Sequence, residues 1–308
     1  MDLVAILLII AGLCLFETIS SIDNAIINAE VLGTMSERAR GWFLIWGLFF
    51  AVFVVRGLLP WLIVWFATPS LGPVQAFFAT FSSDPAVLEA VRESAPVLLM
   101  GGGVFLLFLF CHWIFLEEKH YGLRGERYIE SKGVWFYAVV SVLLAALVWL
   151  ALKASPLVAF GAVIGSTAFF IVHGFRQNAE LQEKKIKGSG ISDISKLFYL
   201  EVIDATFSID GVLGAFAFTL SVPLILIGNG LGAFVVRELT MKNISTIKKY
   251  IFLKNGAMYS VLFLGCIMIL DAFGFEIPAY FSPIVTFGVV GFFLLKSVRF
   301  LKNDAKTG

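Results

Sequence analysis

Nine apolar stretches, each long enough to cross a membrane as a helix, constrain the fold of this chain more than any other feature of its sequence. A spanning helix needs about 20 predominantly apolar residues. The stretches cover residues 3–32, 42–67, 97–116, 134–152, 156–175, 197–220, 223–240, 250–270 and 281–300. Hydrophobic residues make up 59% of the chain and charged residues 15%, which is typical of integral membrane proteins. The sequence therefore predicts an all-α fold, a polytopic transmembrane helix bundle of about nine helices.

The distribution of basic residues predicts the orientation of this bundle. Of the 23 Lys and Arg residues, only Arg92 and Lys153 lie in one set of alternate loops. Three more lie within apolar stretches, namely Arg56, Arg237 and Lys254. The others lie in the opposite set of loops, and cytoplasmic loops carry the excess of Lys and Arg. We therefore expect a single membrane domain over residues 1–308, with the N-terminus outside and the C-terminus in the cytoplasm.

Two of the apolar stretches contain carboxylates within similar short sequences. The triplets Ser21-Ile22-Asp23 and Ser208-Ile209-Asp210 are identical, and another carboxylate precedes each Asp by six residues, at Glu17 and Asp204. An ionisable side chain at the bilayer centre costs about 2.5–3.5 kcal/mol on insertion scales, and such side chains usually mark an ion or proton path. We call residues 17–24 the first acidic motif and residues 201–210 the second acidic motif.

The order of the helices predicts that the two acidic motifs run in opposite directions across the membrane. Each motif is followed by a helix with an internal arginine, Arg56 or Arg237. An inverted-topology repeat with its site near the midplane is a common plan of secondary transporters. We expect residues 1–116 to form the first half, 117–195 the connecting helices and a cytoplasmic linker, and 196–308 the second half. The alternative is that the two short sequences are similar by coincidence and that the chain has no repeat.

The spacing within each motif has a consequence for the backbone. Residues six apart on a continuous helix differ by about 240° and 9 Å, so the two carboxylates of a motif can share one ion only if helices 1 and 6 are broken. Unwound backbone at such a break also offers carbonyl ligands. Carboxylate, hydroxyl and amide oxygens suit Mn²⁺, Mg²⁺ or Ca²⁺ better than copper or zinc. Protons released as metal enters would make the protein an antiporter.

The motifs Glu17-x-x-Ser20-Ser21-x-Asp23-Asn24 and Glu201-x-x-Asp204-x-x-Phe207-Ser208-x-Asp210 resemble those of the TerC family of bacterial integral membrane proteins, within the LysE-like exporter superfamily. The resemblance implies a metal site at Glu17, Asp23, Asn24, Glu201, Asp204 and Asp210. The supporting residues would be Ser20, Ser21, Ser208, Arg56 and Arg237. Gly211, where a polar residue is expected, and a helix count above the family's usual one indicate a divergent branch.

The resemblance also implies a function and a location. The chain is expected to export a divalent metal ion, Mn²⁺ in preference, across the bacterial inner (plasma) membrane. The metal ion and the lipid bilayer are then its partners, and no resident cofactor or catalytic residue is expected. Nucleic acid is not an expected partner, because the sequence has no basic block with interleaved aromatic residues.

Other interpretations of the same residues remain open. The carboxylates could be structural partners of Arg56, Arg237 and Lys254, in a membrane scaffold of a metal or tellurite stress-response complex. Two intramembrane aspartates could belong to an enzyme, although no Gly-x-Gly-Asp signature or histidine-rich motif supports that class. Organic cations or amino acids are alternative substrates. For His112 and His173, near helix ends, the sequence predicts only interfacial roles.

Overall fold

The computed structural model describes residues 3–47, 49–68, 70–79, 84–186, 192–242 and 249–307. Within these ranges the chain forms helices and short connections, and no β-strand. The helices of the first part are Leu3–Ser20 (α1), Ile22–Leu32 (α2), Glu37–Trp42 (α3), the π-helical segments Phe43–Gly47 and Phe50–Leu58, Leu59–Ala67 (α4), Pro73–Phe78 (α5) and Pro85–Leu116 (α6). Those that follow are Glu126–Glu130 (α7), Phe136–Ala154 (α8), Pro156–Ile186 (α9), Asp193–Ala215 (α10), Val222–Lys242 (α11), Leu253–Ala272 (α12) and Phe281–Thr307 (α13).

Each of the nine predicted stretches contains helix. In the part of the chain that the structure describes, eight helical segments are long and apolar enough to cross a membrane. The remaining stretch, residues 197–220, corresponds to α10, which is a helix of 23 residues but carries the charges of the second acidic motif. The fold is therefore the predicted all-α, polytopic helix bundle of a multi-pass membrane protein.

Close contacts between α1 and α10 give the relative direction of the two motif helices. A Cβ atom placed on Gly12 would lie 2.8 Å from the ring of Phe218, just beyond the end of α10. Further along α1, Glu17 lies against Gly211, where an added Cβ atom would be 2.6 Å from Glu17 Oε2. Higher residue numbers on α1 thus meet lower numbers on α10. The two motif helices are antiparallel, as the inverted repeat requires.

The helices that follow the two motifs are also antiparallel to each other. Arg237 of α11 contacts Phe43, donating from Nη1 to the backbone carbonyl at 2.7 Å. Nearer the start of α11, Leu226 lies 3.1 Å from the position of a Cβ atom on Gly57. The third helices repeat the pattern, because Gly102 of α6 faces Met268 of α12 and Trp113 packs on Tyr259 at a ring distance of 5.6 Å.

These three antiparallel pairs relate the first three membrane helices to α10, α11 and α12. Antiparallel pairs of this kind are what an inverted-topology repeat would produce, in which corresponding helices of the two halves meet around a pseudo-two-fold axis. Small residues at the contacts let the backbones approach closely. At one of them, a Cβ atom on Gly265 would lie 3.1 Å from Gly103 O. Side chains from the two halves therefore meet in the middle of the bundle.

The two motif helices differ in continuity. The first is interrupted at one residue, Ser21, with φ −90° and ψ 4°. The helical hydrogen bonds continue across it, since Ser21 N–H donates to Glu17 O at 3.1 Å and Ala25 N–H to Ser21 O at 2.9 Å. The predicted break in the sixth helix is wrong. Helix α10 runs unbroken from Asp193 to Ala215, because its glycines pack directly against α1 and its backbone bonds stay within the helix.

Two helices are longer than the sequence predicts. Helix α6 begins at Pro85 rather than at residue 97, because Asp84 caps it by accepting from Ala86 N–H at 2.9 Å and Pro96 is accommodated inside the helix. Helix α9 continues to Ile186. The predicted linker at 187–190 lies outside the described residues. Both extensions carry polar side chains past the ends of the apolar stretches.

Candidate functional site

Glu17 of the first acidic motif is fully buried, with an exposed fraction of 0%. Its Oε1 atom accepts hydrogen bonds from the Ser21 hydroxyl at 2.8 Å, from Arg56 Nε at 3.0 Å and from Arg56 Nη2 at 2.5 Å. Its Oε2 atom is buried and has no hydrogen-bond partner among the described residues. One oxygen is thus fully engaged, and the other is able to accept a further ligand or a proton.

Arg56 connects this carboxylate to the second half of the protein. It lies in the π-helical segment Phe50–Leu58, and π-helical turns often occur at functional sites. Its exposed fraction is only 1%. Its Nη1 atom donates to Ala51 O at 3.1 Å and to Asp204 Oδ2 at 3.4 Å. One guanidinium group therefore bridges carboxylates from both acidic motifs.

Asp204 lies between two arginines. Besides the contact with Arg56, its Oδ2 atom is 3.8 Å from Arg237 Nη2. The same Arg237 atom donates to Glu201 Oε1 at 3.2 Å and to Glu201 Oε2 at 3.3 Å. The guanidinium group also stacks 4.0 Å from the centre of the Phe43 ring, a cation–π contact that keeps it inside the bundle.

We call the residues joined by these ion pairs the central cluster: Glu17, Arg56, Glu201, Asp204 and Arg237. It contains three carboxylates and two guanidinium groups, so one negative charge is unmatched within the cluster when all five are ionised. Charges buried in a bilayer are strongly unfavourable unless they are paired. The cluster as a whole therefore favours the uptake of a proton or a cation.

Glycines leave the space that the cluster carboxylates occupy. A Cβ atom on Gly211 would lie 2.6 Å from Glu17 Oε2, and one on Gly232 would lie 2.6 Å from Glu17 Cβ. A Cβ atom on Gly47 would overlap the Glu201 carboxylate. This explains why Gly211 stands where the family resemblance leads us to expect a polar side chain, because any side chain there would displace Glu17.

We expect Gly232→Ala to destabilise the protein by about 1–3 kcal/mol, the usual penalty for overpacking a well-packed core. The added Cβ would meet Glu17 Cβ and, at 2.9 Å, the backbone carbonyl of Cys14, neither of which moves easily. The matched control is Gly288→Ala in α13, where nothing lies within 4 Å of the added atom. Thermal unfolding in detergent measures both, and equal midpoints for the two variants would contradict the prediction.

Asp210 does not join the central cluster. Because α10 is continuous, the side chain of Asp210 leaves the helix in a different direction from that of Asp204. It pairs with Arg176 of α9, whose Nη1 atom donates to Asp210 Oδ2 at 3.2 Å. The predicted convergence of both second-motif aspartates is therefore wrong. The side chains of Asp23 and Asn24 lie outside the described residues.

The three supporting serines have different roles. Only Ser21 reaches a cluster carboxylate with its side chain. Ser20 Oγ donates to Glu17 O at 3.3 Å, and Ser208 Oγ donates to Asp204 O at 2.6 Å. Both are hydrogen bonds to the preceding helical turn, which is common for serine within helices. They leave the Glu17 and Asp204 carboxylates to the arginines.

A cavity of about 570 Å³ lies on the side of α10 that carries Asp210. We call it the polar vestibule, and its titratable and charged lining includes His112, Glu117, His173, Arg176, Asp210 and Lys254. The sequence analysis missed this site: of these residues it singled out only Asp210 as a site residue, and the others come from separate helices. Two histidines within otherwise apolar helices were the available signal.

Glu117 organises the charged side of the vestibule. His112 Nδ1–H donates to its Oε1 atom at 3.2 Å, and Lys254 Nζ lies 2.9 Å from its Oε2 atom. Burial raises the pKa of Glu117, but the hydrogen bond from His112 and the positive charge of Lys254 outweigh it and hold the pKa well below its ordinary value. Lys254, which the sequence offers as a possible partner of the motif carboxylates, pairs here with Glu117.

The described part of the chain contains no group of three or more His, Cys, Asp or Glu side chains arranged to hold a metal ion. The three cluster carboxylates come together as predicted, but arginines lie between them. A divalent ion would therefore have to compete with Arg56 and Arg237 for carboxylate oxygens. The same pairing is the arrangement expected if the carboxylates are structural partners of the arginines.

Comparison with known protein families identifies one match. A family model described as "Protein of unknown function (DUF475)" matches residues 22–304. No curated protein and no solved structure matches the chain. The matched range contains Arg56, Glu201, Asp204 and Arg237, whereas Glu17 lies before its start.

Proposed function

The chain belongs to the DUF475 family, and we propose that it is a secondary transporter that exports a divalent metal ion, Mn²⁺ in preference, in exchange for protons. The observation that carries this proposal is the central cluster. Glu17 from one half and Asp204 from the other both contact Arg56, and the cluster has one carboxylate more than it has guanidinium groups. A site at the interface of two inverted halves is where alternating access exposes it to each side in turn.

The arginines have a definite part in this mechanism. Without cargo they neutralise carboxylates that would otherwise be buried as unpaired charges. A cation that approaches the buried Oε2 atom of Glu17 competes with Arg56 for the carboxylate, and the guanidinium group keeps its bond to Ala51 O. Cation and proton compete for the same oxygens, so binding of one favours release of the other. This competition couples metal export to proton entry.

The chemistry of the donors supports the choice of ion. The cluster offers carboxylate oxygens and, through Ser21, a hydroxyl group. Hard oxygen donors suit Mn²⁺ and Mg²⁺ better than zinc or copper, which favour His and Cys. Resemblance of the two acidic motifs to the TerC family supports Mn²⁺ over Mg²⁺. The excess of basic residues in one set of loops supports an inner-membrane location with the N-terminus outside.

The test is metal flux through the purified full-length protein in liposomes. Mn²⁺ entry is followed with a trapped fluorescent indicator while a pH gradient is imposed in either direction. We expect flux that depends on the direction of the gradient and that an excess of Mg²⁺ inhibits only weakly. Protein-free liposomes provide the background. A folded protein with no flux of any divalent ion under either gradient would disprove the transporter.

A second candidate function is a membrane scaffold of a metal or tellurite stress-response complex. It is favoured by the pairing of the cluster carboxylates with arginines and by the lack of a grouped metal-ligand set in the described residues. In that case the cluster only holds the two halves together. The scaffold predicts no flux, partner proteins that co-purify, and full function of an Asp204→Asn variant that remains folded.

A further inference from the structure

The polar vestibule ends close to the central cluster. Ser20 lines the vestibule, and its Oγ atom lies 3.8 Å from the position that a Cβ atom on Gly211 would take. Glu17 Oε2 lies 2.6 Å from that same position. The vestibule therefore reaches the immediate surroundings of the one cluster oxygen that is buried without a hydrogen-bond partner. Asp210, the residue before Gly211, lies in its wall.

Two histidines lie in contact with each other in the wall of this cavity. The ring centres of His112 of α6 and His173 of α9 are 4.1 Å apart. His112 donates from Nδ1 to Glu117, so its Nε2 atom is the basic nitrogen of the neutral ring. Gln177 Nε2 lies 3.0 Å from His173 Nε2, so the amide donates to a ring nitrogen that carries no proton. Two imidazoles this close share one added proton far more readily than they hold two.

Charged groups from the helices around the pair comprise three carboxylates and two cations. Helix α6 and the residues after it contribute Glu117 and Glu118, and α9 contributes Arg176. Helix α10 contributes Asp210 and α12 contributes Lys254. Glu117 is engaged by Lys254 and Asp210 by Arg176. The two imidazoles also line the cavity, and a neutral imidazole ring carries both an N–H donor and a nitrogen that can accept a proton.

We propose that the polar vestibule is the proton route of the transporter, with His112 and His173 as the pair that accepts the proton from water and passes it toward Glu17. The inference rests on the proposed function, because it assumes that the protein exchanges protons for metal. Whether the vestibule is open to water, however, does not depend on metal transport and can be tested without metal. A proton taken up at His112 Nε2 leaves one water as hydroxide. The added proton then leaves the His112 ring for water in the vestibule beside Ser20, which returns the ring to its neutral form and carries the proton toward Glu17.

The route predicts a role separate from metal binding. Neither histidine belongs to the central cluster, and the metal path needs only the cluster carboxylates. His112 and His173 are therefore positioned to set how many protons move and from which face. A merely structural role for them would change stability and total flux but not the ratio of protons to metal.

Access is tested first, on full-length protein in vesicles and without any metal. Cysteine is introduced by His173→Cys in a variant whose three native cysteines, Cys14, Cys111 and Cys266, are replaced by Ala. The control is Ala162→Cys on the same helix, where the exposed fraction is 0%. We expect a membrane-impermeant maleimide to label position 173 at least about tenfold faster, and only from the face that carries the loop between α6 and α8. Equal rates, or labelling from the opposite face, would overturn the proposed route.

Coupling is tested second, with Mn²⁺ and internal pH followed together in proteoliposomes. We expect the double variant His112→Gln, His173→Gln to move at least about tenfold fewer protons per Mn²⁺ while Mn²⁺–Mn²⁺ exchange without a pH gradient continues. The control is His120→Gln, an exposed histidine outside the vestibule. An unchanged proton-to-metal ratio, or loss of Mn²⁺ exchange in the folded variant, would overturn the proposal. If the wild type moves no metal, the transporter fails and the labelling result still decides the route.

Discussion

Arg56→Gln is expected to lower the free energy of unfolding by about 3–5 kcal/mol, because it removes one partner of a buried ion-pair network and leaves charges without compensation. Arg56 is 1% exposed and contacts both Glu17 and Asp204. Glutamine can donate one or two hydrogen bonds but supplies no positive charge. Three carboxylates would then share the single guanidinium group of Arg237. The measurement is unfolding in mild detergent by heat or by denaturant.

The control and a compensating change separate charge from packing. Arg92→Gln replaces an exposed arginine at the start of α6 and should change stability by less than about 0.5 kcal/mol. Adding Glu17→Gln to Arg56→Gln removes the carboxylate that the first substitution leaves buried without its ion-pair partner. The double variant should therefore be more stable than Arg56→Gln alone. A double variant that loses the sum of both single effects would show that the two residues act independently, contrary to the ion pair.

The sequence allowed the fold to be predicted because the bilayer limits the possible structures. Apolar length alone identified the nine helices, and the identical triplets around Asp23 and Asp210 identified two helices related by inversion. The bounds of α6 and α9 were missed for a local reason. The polar beginning of α6 and the polar end of α9 both lie beyond the apolar stretches that were counted.

The candidate site was predictable only in part, because side-chain direction depends on the continuity of the backbone. Glu17, Glu201 and Asp204 were expected to meet and do so. Asp210 was expected to join them through a broken helix, but the close packing of Gly211 and Gly214 on α1 keeps α10 regular. Nothing in the sequence shows which glycines pack and which ones break a helix. The polar vestibule depends on residues more than a hundred positions apart, and no local pattern connects them.

The inverted repeat also shows where the symmetry of the site ends. Alignment of the identical triplets places Glu17 opposite Asp204 and Cys14 opposite Glu201. Arg56 and Arg237 each lie on the helix that follows a motif, but in this alignment they are six positions out of register. A site built from the aligned carboxylates and these two arginines would have two carboxylates and two guanidinium groups. Glu201 is therefore the additional carboxylate that gives the cluster its unmatched negative charge. A site with one surplus negative charge binds a cation more readily than a balanced one, which is the property that the proposed transport requires.

Asp204→Asn is expected to reduce Mn²⁺ flux by about 100-fold or more. Loss of a side chain that hydrogen-bonds a metal ligand lowers metal affinity or activity by about 10–100-fold, and loss of a carboxylate that itself binds the ion should lower it at least as much. With Asp204 neutral, Arg56 pairs with Glu17 and Arg237 with Glu201, and no unmatched negative charge remains. The substitution is nearly isosteric and both arginines keep a carboxylate partner. The loss of stability should therefore be smaller than for Arg56→Gln.

Flux of the Asp204→Asn variant is measured in proteoliposomes at matched protein content, after its fold has been checked by thermal unfolding. The control is Asp193→Asn, at the start of the same helix, where the carboxylate only accepts hydrogen bonds from Ser36 at the surface. This variant should retain its flux, since surface contacts contribute little. If Asp204→Asn transports Mn²⁺ at the wild-type rate, the central cluster is not the cation site. Its carboxylates are then structural partners of the arginines, and the metal follows another path through the bundle.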